Sequence, residues 1–272
     1  MSAAMEELLG LLELEQIEKH LFRGHHPEGR KHRLYGGQIM AQALRGAAYT
    51  VPEDRYVHSL HGYFLRPGDP SIPALIDVEP IRDGNSFSTR RVVVIQHGQA
   101  IFNMDASFQI VEPGLTHQFE APGLSPPSKD MIPQEMNSWV FSGWRHDHKR
   151  LLSNEAQPPN QDMWFKANGV IPDDPVLHAC LAVYESDNAL LGTARLPHRD
   201  RMNRDRMQVA SLDHAMWFHA RPVSDWRVDE WLLYCIDAPS ASQARGYNRG
   251  TIYSDSGLLV ASTMQEGLIR QR

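Results

Sequence analysis

The sequence predicts an α+β protein made of two fused units of one design, each a central helix wrapped by an antiparallel sheet. Three observations carry that prediction. His58-Ser59-Leu60-His61-Gly62-Tyr63-Phe64-Leu65-Arg66-Pro67 is echoed by Ser211-Leu212-Asp213-His214-Ala215-Met216-Trp217-Phe218-His219-Ala220-Arg221-Pro222, a period of about 150 residues and too long for a solenoid repeat. The echo reaches upstream, where Tyr35-Gly36-Gly37-Gln38 faces Tyr184-Glu185-Ser186-Asp187, and downstream, where His97-Gly98 and Ser256-Gly257 each open an apolar run. Finally, each half reads as a helix followed by a family of strands.

In the first half, Gln38 to Tyr49 is rich in Ala, Leu, Met and Gln, and Ile39, Met40, Ala43, Leu44 and Ala47 recur at helical spacing. Strands are expected over Tyr56 to Leu65, Ala74 to Ile81, Phe87 to Gln96 and Ala100 to Val111, with Asp83-Gly84 and His97-Gly98 as turns. In the second half a helix is expected to open over Asn188 to Ala194. Strands follow over Met207 to Phe218, Glu230 to Ala238, Ala244 to Tyr253 and Leu258 to Ile269. A helix wrapped in an antiparallel sheet is the hot-dog arrangement, and pairing two such units covers the face each leaves open. Pro113 to Pro133, with Pro122, Pro126 and Pro127 among polar residues, reads as the linker. The units are accordingly expected over residues 1–112 and 136–272, joined by 113–135. Gln157 to Pro175 reads as an irregular stretch, and Met5 to Glu13 as a short amphipathic helix.

Composition narrows the function classes. A chain of 272 residues, 42% hydrophobic and 22% charged, is ordinary for a soluble domain or two. Its net charge of −6 argues against nucleic acid or an anionic membrane as the main partner. No apolar run approaches the roughly 20 residues that a membrane span needs, and the acidic N-terminus lacks a signal peptide's positive start. Cys180 and Cys235, far apart and outside any CxxC pair, fit two thiols in a reducing compartment. The ending Ile269-Arg270-Gln271-Arg272 differs from a peroxisomal address, so a cytoplasmic location is expected.

Several common sites are missing from the sequence: a G-x-S-x-G elbow, a glycine-rich phosphate loop and an H-E-x-x-H metal motif. His146 and His148, among Arg145, Asp147, Lys149 and Arg150, read as a solvated face. No metal and no cofactor are expected. Arg195, Arg199, Arg201, Arg204 and Arg206 crowd one loop with Asp200 and Asp205, either a solvated loop or a landing place for phosphates.

Five stretches in order carry a family resemblance. Leu34-Tyr35-Gly36-Gly37-Gln38, His61-x-Tyr63-Phe64-Leu65-Arg66-Pro67-Gly68, Arg82-Asp83-Gly84-x-Ser86-Phe87, Ser211-Leu212-Asp213-His214-x-Met216-Trp217-Phe218-His219 and Gln265-Glu266-Gly267 together resemble type II acyl-CoA thioesterases. These are the double hot-dog enzymes of bacteria, with a peroxisomal relative in eukaryotes. The resemblance covers nearly the whole chain and is weakest from Met131 to Asp173. It implies hydrolysis of fatty acyl-CoA to free acid and CoA by a water held between an Asp, a Thr or Ser, and a Gln. Matched position by position, these are Asp187, Ser211 and Gln265. Bacterial members more often carry Thr at Ser211, and the peroxisomal relative carries Ser. The resemblance also implies a homodimer or larger assembly.

The residues themselves are compatible with those roles. Asp187 is read at a helix start, where the dipole favours a carboxylate, although a plain N-cap would look the same. Ser211 and Gln265 each offer a donor and an acceptor, which suits gripping a water. In the first half, Gln38, His58 and Ala106 are read opposite Asp187, Ser211 and Gln265. Asp213 shares a strand face with Ser211 and reads as a structural hydrogen-bonding group. Gly36, Gly37 and His58 are the expected substrate contacts, the glycines through free N–H groups at a helix start. His58 also reads as a half-buried structural histidine. Two rivals share the ligand. A hot-dog hydratase would carry His five residues after its Asp, where this chain has Gly192. A non-catalytic acyl-CoA-binding protein would have lost the trio.

Overall fold

Small apolar side chains on every face let a helix be enclosed on all sides. The helix Gly36–Ala48 is of that kind: every residue from Gly37 to Leu44, with Gly46 and Ala47, is buried, and Arg45 provides the polar contact near its end. In the computed structural model, which describes residues 2–27, 33–203 and 206–272, this helix (α2) lies in the grip of an antiparallel sheet. Before it come α1 (Ala3–Leu12), β1 (Glu15–Glu18) and β2 (Leu21–Gly24). After it run β3 (Tyr56–Phe64), β4 (Ala74–Asp83), β5 (Phe87–Gln96) and β6 (Gln99–Gln109). The second half contains β7 (Phe141–Arg145), α3 (His148–Leu152), β8 (Asn160–Ala167), α4 (Pro175–Ser186) and α5 (Leu190–Thr193). It ends with β9 (Met207–Ser211), β10 (Asp213–Phe218), β11 (Leu232–Ser242), β12 (Arg245–Ser254) and β13 (Leu259–Gln271).

Among the described residues these strands form one sheet in the order β1-β2-β4-β5-β6-β3-β10-β13-β12-β11-β8-β7, with β9 continuing beside β13. The seam is the antiparallel pair β3–β10, where Leu60 faces Met216 and Gly62 faces His214. The fold is the α+β double hot-dog that the sequence predicts. Cys180 and Cys235 are free thiols, the first buried and the second half-buried.

Three expectations change. The enclosed helix of the second half is α4, not Asn188 to Ala194. Asp174 opens it by accepting from the N–H groups of Val176 (2.9 Å) and Leu177 (3.2 Å), and Pro175 fits its first turn. The stretch from Gln157 to Pro175 contains a strand, β8, which pairs with β11. The expected strand Met207 to Phe218 is split at Leu212, whose N–H donates to Glu266 O (2.9 Å). A matching irregularity falls between Val57 and Ser59 in β3.

The helices α2 and α4 pack against each other antiparallel. Gly37 at the start of α2 meets Asp187 just past the end of α4, while Arg45 near the end of α2 meets Asp174 at the start of α4. The proline-rich connection is partly tied down. Ala121 and Leu124 pack on Trp164, Leu233 and Tyr253, and Gln118 bonds both Gly257 O (2.8 Å) and Leu259 N–H (3.0 Å).

Candidate active site

Two adjacent glycines let the helices touch. A Cβ on Gly37 would stand 2.2 Å from Tyr184 O, and one on Gly36 would stand 2.8 Å from Asp187 Oδ2. A larger residue at Gly37 would push the α4 backbone away, and one at Gly36 would displace the Asp187 carboxylate and the Phe64 ring. Tyr35, which precedes α2, offers no side-chain cap to that helix. Asp187 caps it instead: Gly37 N–H donates to Asp187 Oδ2 at 3.1 Å.

The helix-dipole expectation for Asp187 is therefore reassigned. The residue closes α4, at that helix's negative end, and the positive end serving it belongs to α2 of the other half. Gly37 N–H, expected to be free for substrate, is spent on the carboxylate.

The other carboxylate oxygen collects the rest of the trio. Ser211 Oγ donates to Asp187 Oδ1 at 3.2 Å, and Gln265 Nε2 donates to the same oxygen at 2.5 Å. Ser211 reaches this position at the end of β9, just before the split at Leu212, opposite Gly267 of β13. Gln265 points inward from β13 and is buried, and its Oε1 has no hydrogen-bond partner. Two residues far apart in the sequence thus converge on one oxygen of a third.

Behind Gln265 stands His214, which has no site role in the sequence reading. His214 Nδ1 is 3.3 Å from Gln265 Nε2, and His214 Nε2 is 3.0 Å from Ser186 Oγ. Burial pushes its pKa down to about 4, against the opposing pull of Asp187. The signal that could have found it is its position in Ser211-Leu212-Asp213-His214: beyond the break, it resumes the inward face. Asp213 is a structural group, as read, accepting Glu266 N–H at 2.6 Å. Glu185 is buried beside the site, and burial raises its carboxyl to about 7 although Asn188 donates to it.

His58 is not brought to the site. Its Nε2 lies 2.8 Å from Ser107 Oγ and its ring stands edge-on to Phe87, so it is a structural histidine outside the cleft lining. The reason is register. His214, Met216 and Phe218 face inward as Leu60, Gly62 and Phe64 do, so the matched echo is one residue out and the true partner of Ser211 is Val57. Gln38, read opposite Asp187, instead bonds His25 O and His26 Nδ1. Ala106 does stand opposite Gln265, since it pairs with Leu60 as Gln265 lies beside His214.

A cleft of about 600 Å³ opens over Asp187, Ser211 and Gly36. Leu34, Ile39, Phe64 and Leu191 make apolar walls, and Arg33, Arg66 and Arg195 add positive charge. Of the loop arginines, Arg199 donates instead to the carbonyls of Leu151 and Ser153, and Arg201 lies 3.7 Å from Asp200. Arg206 lies away from the cleft, in a hollow with Arg272. Arg204 and Asp205 lie outside the described residues.

Comparison with known proteins points one way. The sequence profile for acyl-CoA thioesterase matches residues 137–268, and that for the acyl-CoA thioesterase N-terminal domain matches 25–109. The mouse protein acyl-coenzyme A thioesterase 8 is 41% identical, covering 96% of this chain and 88% of its own length. Acyl-CoA thioesterase 2 of Haemophilus influenzae is 38% identical over 99% of each chain. The crystal structure of the acyl-CoA thioesterase II TesB2 from Mycobacterium marinum superposes with a TM-score of 0.85 at 42% identity, covering 97% of this chain and 98% of that one.

Proposed function

This chain belongs to the acyl-CoA thioesterase family, and from that premise we propose that it hydrolyses fatty acyl-CoA to a free fatty acid and CoA through a water held by Asp187, Ser211 and Gln265. The observation that carries the reading is the convergence of Ser211 Oγ and Gln265 Nε2 on Asp187 Oδ1, with Asp187 and Ser211 lining a cleft of apolar walls and arginines and Gln265 buried.

The water donates one proton toward Asp187, and its oxygen attacks the thioester carbon. Asp187 receives that proton as the C–O bond forms, and the carbonyl oxygen gains negative charge. The N-terminal turn of α2 lines the cleft and offers that charge a favourable field. When the intermediate collapses the C–S bond breaks, and the CoA sulfur leaves as thiolate and takes up a proton. Much of the catalysis is orientation, since an ordinary carboxylate is a weak base. Arg33, Arg66 and Arg195 are the proposed contacts for the phosphates of CoA. Among the described residues the hydrogen-bond partner of Ser211 Oγ is a carboxylate that already accepts two N–H donors, a poor general base for making it a nucleophile.

Thiol release from a panel of acyl-CoAs tests the activity. Gln265→Ala and Ser211→Ala should each lose on the order of 10²–10³ in kcat, with no burst of CoA on rapid mixing. An acyl group trapped on Ser211 would overturn the held water, and absence of thiol release from every acyl-CoA would overturn the function.

The proposal extends to setting. The units run over 1–112 and 136–272 with 113–135 between them, the location is cytosolic, and the assembly is a homodimer or larger. Among the described residues no helix is long and apolar enough to cross a membrane. Light scattering at the mass of a single chain would remove the assembly and leave the chemistry intact.

A further inference from the structure

An amide side chain can sit either way round, and the neighbours of Gln265 decide which. Asp187 offers acceptors only, so the amide atom 2.5 Å from its Oδ1 is the nitrogen. The same nitrogen lies 3.3 Å from His214 Nδ1. An NH₂ group has two protons, and this geometry uses both, provided that His214 Nδ1 accepts. The proton of the neutral imidazole then sits on Nε2. The far side of the ring agrees. Ser186 Oγ donates to Val183 O at 2.9 Å, which leaves its oxygen free to accept from His214 Nε2–H at 3.0 Å. The group left over is Gln265 Oε1, buried and without a partner.

We infer that His214 is a positioning residue: by accepting from Gln265 through Nδ1 it locks the amide with its nitrogen on Asp187 and leaves Oε1 to accept a proton from the attacking water. The inference rests on the proposed water mechanism and adds the device that orients it. With Asp187 taking one proton and Gln265 Oε1 the other, a lone pair of the water is left to face the thioester carbon. An amide turned the other way would offer that water a donor, competing for the same lone pair, and would set its oxygen against the carboxylate.

Two substitutions separate this role from a merely structural one. The Oδ1 of the new side chain in His214→Asn falls near the place of Nδ1 and can still accept from Gln265. In His214→Gln the longer amide reaches toward Ser186 and leaves no acceptor at the Nδ1 position. The asparagine variant should keep kcat within about tenfold of the parent, and the glutamine variant should lose on the order of 10², with KM little changed in both. In a Gln265→Ala background, His214→Gln should cost almost nothing further, because its effect runs through the missing amide. Should His214→Gln fail to fold, Ser186→Ala serves in its place. It removes the acceptor that fixes the tautomer, and should lower kcat several-fold at constant KM. Equal losses in the two His214 variants, a loss in KM rather than kcat, or a full further loss in the Gln265→Ala background would overturn the inference. A Gln265→Ala enzyme as fast as the parent would sink the held-water reading too, whereas a slow one beside indifferent His214 variants would sink this inference alone.

Discussion

The antiparallel helix pair has two ends that differ in how a carboxylate is used. At one end Asp174 caps its own helix, α4, and forms a 2.7 Å ion pair with Arg45, which also lies over the Tyr49 ring. At the other end Asp187 closes its own helix with its backbone N–H and turns its carboxylate to the start of α2, holding Ser211 and Gln265 with its remaining oxygen. The strand positions follow suit. Ser211, His214 and Gln265 at the open end stand where the first half has Val57, Leu60 and Ala106, all buried. Of two equivalent places in the fold, one gathers Asp187, Ser211 and Gln265, and the other is filled by an ion pair and packed side chains. The contrast shows that the site depends on who caps whom.

The sharpest way to break that contrast is to neutralise each carboxylate in turn. Asp187→Asn should lose on the order of 10²–10³ in kcat, while Asp174→Asn, which keeps a good N-cap, should stay within about twofold. Equal effects measured by thiol release would end the claim of one site. Gly37→Ala comes next. Its Cβ meets a backbone oxygen, so α2 must shift, at about 1–3 kcal/mol of stability, and denaturant melts should show that loss together with slower turnover. Arg45→Met at the closed end should cost about 1–2 kcal/mol, because the pair is only partly buried, with kcat unmoved. A fall in kcat would tie the closed end to catalysis.

Acidity probes the open end differently. His214 is held near 4, below the ordinary 6.5. The unfolded chain therefore binds a proton that the native site refuses, so this contribution to stability is present above pH 6.5 and drains away as the pH falls toward 4. The melting temperature of the parent should drop more steeply across that window than that of His214→Asn. Ser211→Thr is the mildest change within the trio. The hydroxyl survives, so the rate should stay within about tenfold, a barrier change of no more than roughly 1.4 kcal/mol.

The duplicated design, α2 and the residues that converge at Asp187 are legible because each leaves a local mark: a repeated motif, a helical spacing, a matched family position. The second enclosed helix is not, although Asp174-Pro175 is a sound start signal. The echo of Tyr35 in Tyr184 points past it, to a helix start after Tyr184 rather than before. Those two tyrosines do belong together, with Tyr35 OH donating to Tyr184 O at 2.8 Å and the rings 4.9 Å apart. They meet because the helices run in opposite directions, not because they are equivalent. His58 is not a substrate contact, and His214 goes unnoticed, for another reason. Strand faces alternate with each residue, so a motif matched one residue out exchanges the outer face for the inner. β1, exposed along its whole length, carried no alternation to read.

The strap of Gln118, Ala121 and Leu124 across the second half has a genetic consequence. In an assembly of two identical subunits every mutation is inherited twice, so a residue that opens one active site alters its twin as well. A single reading frame that encodes both halves lifts that constraint. Arg45 could arise at one end and Asp187 at the other without being copied to its counterpart, and dilution cannot part the two ends. A covalent connection between the halves makes symmetry optional.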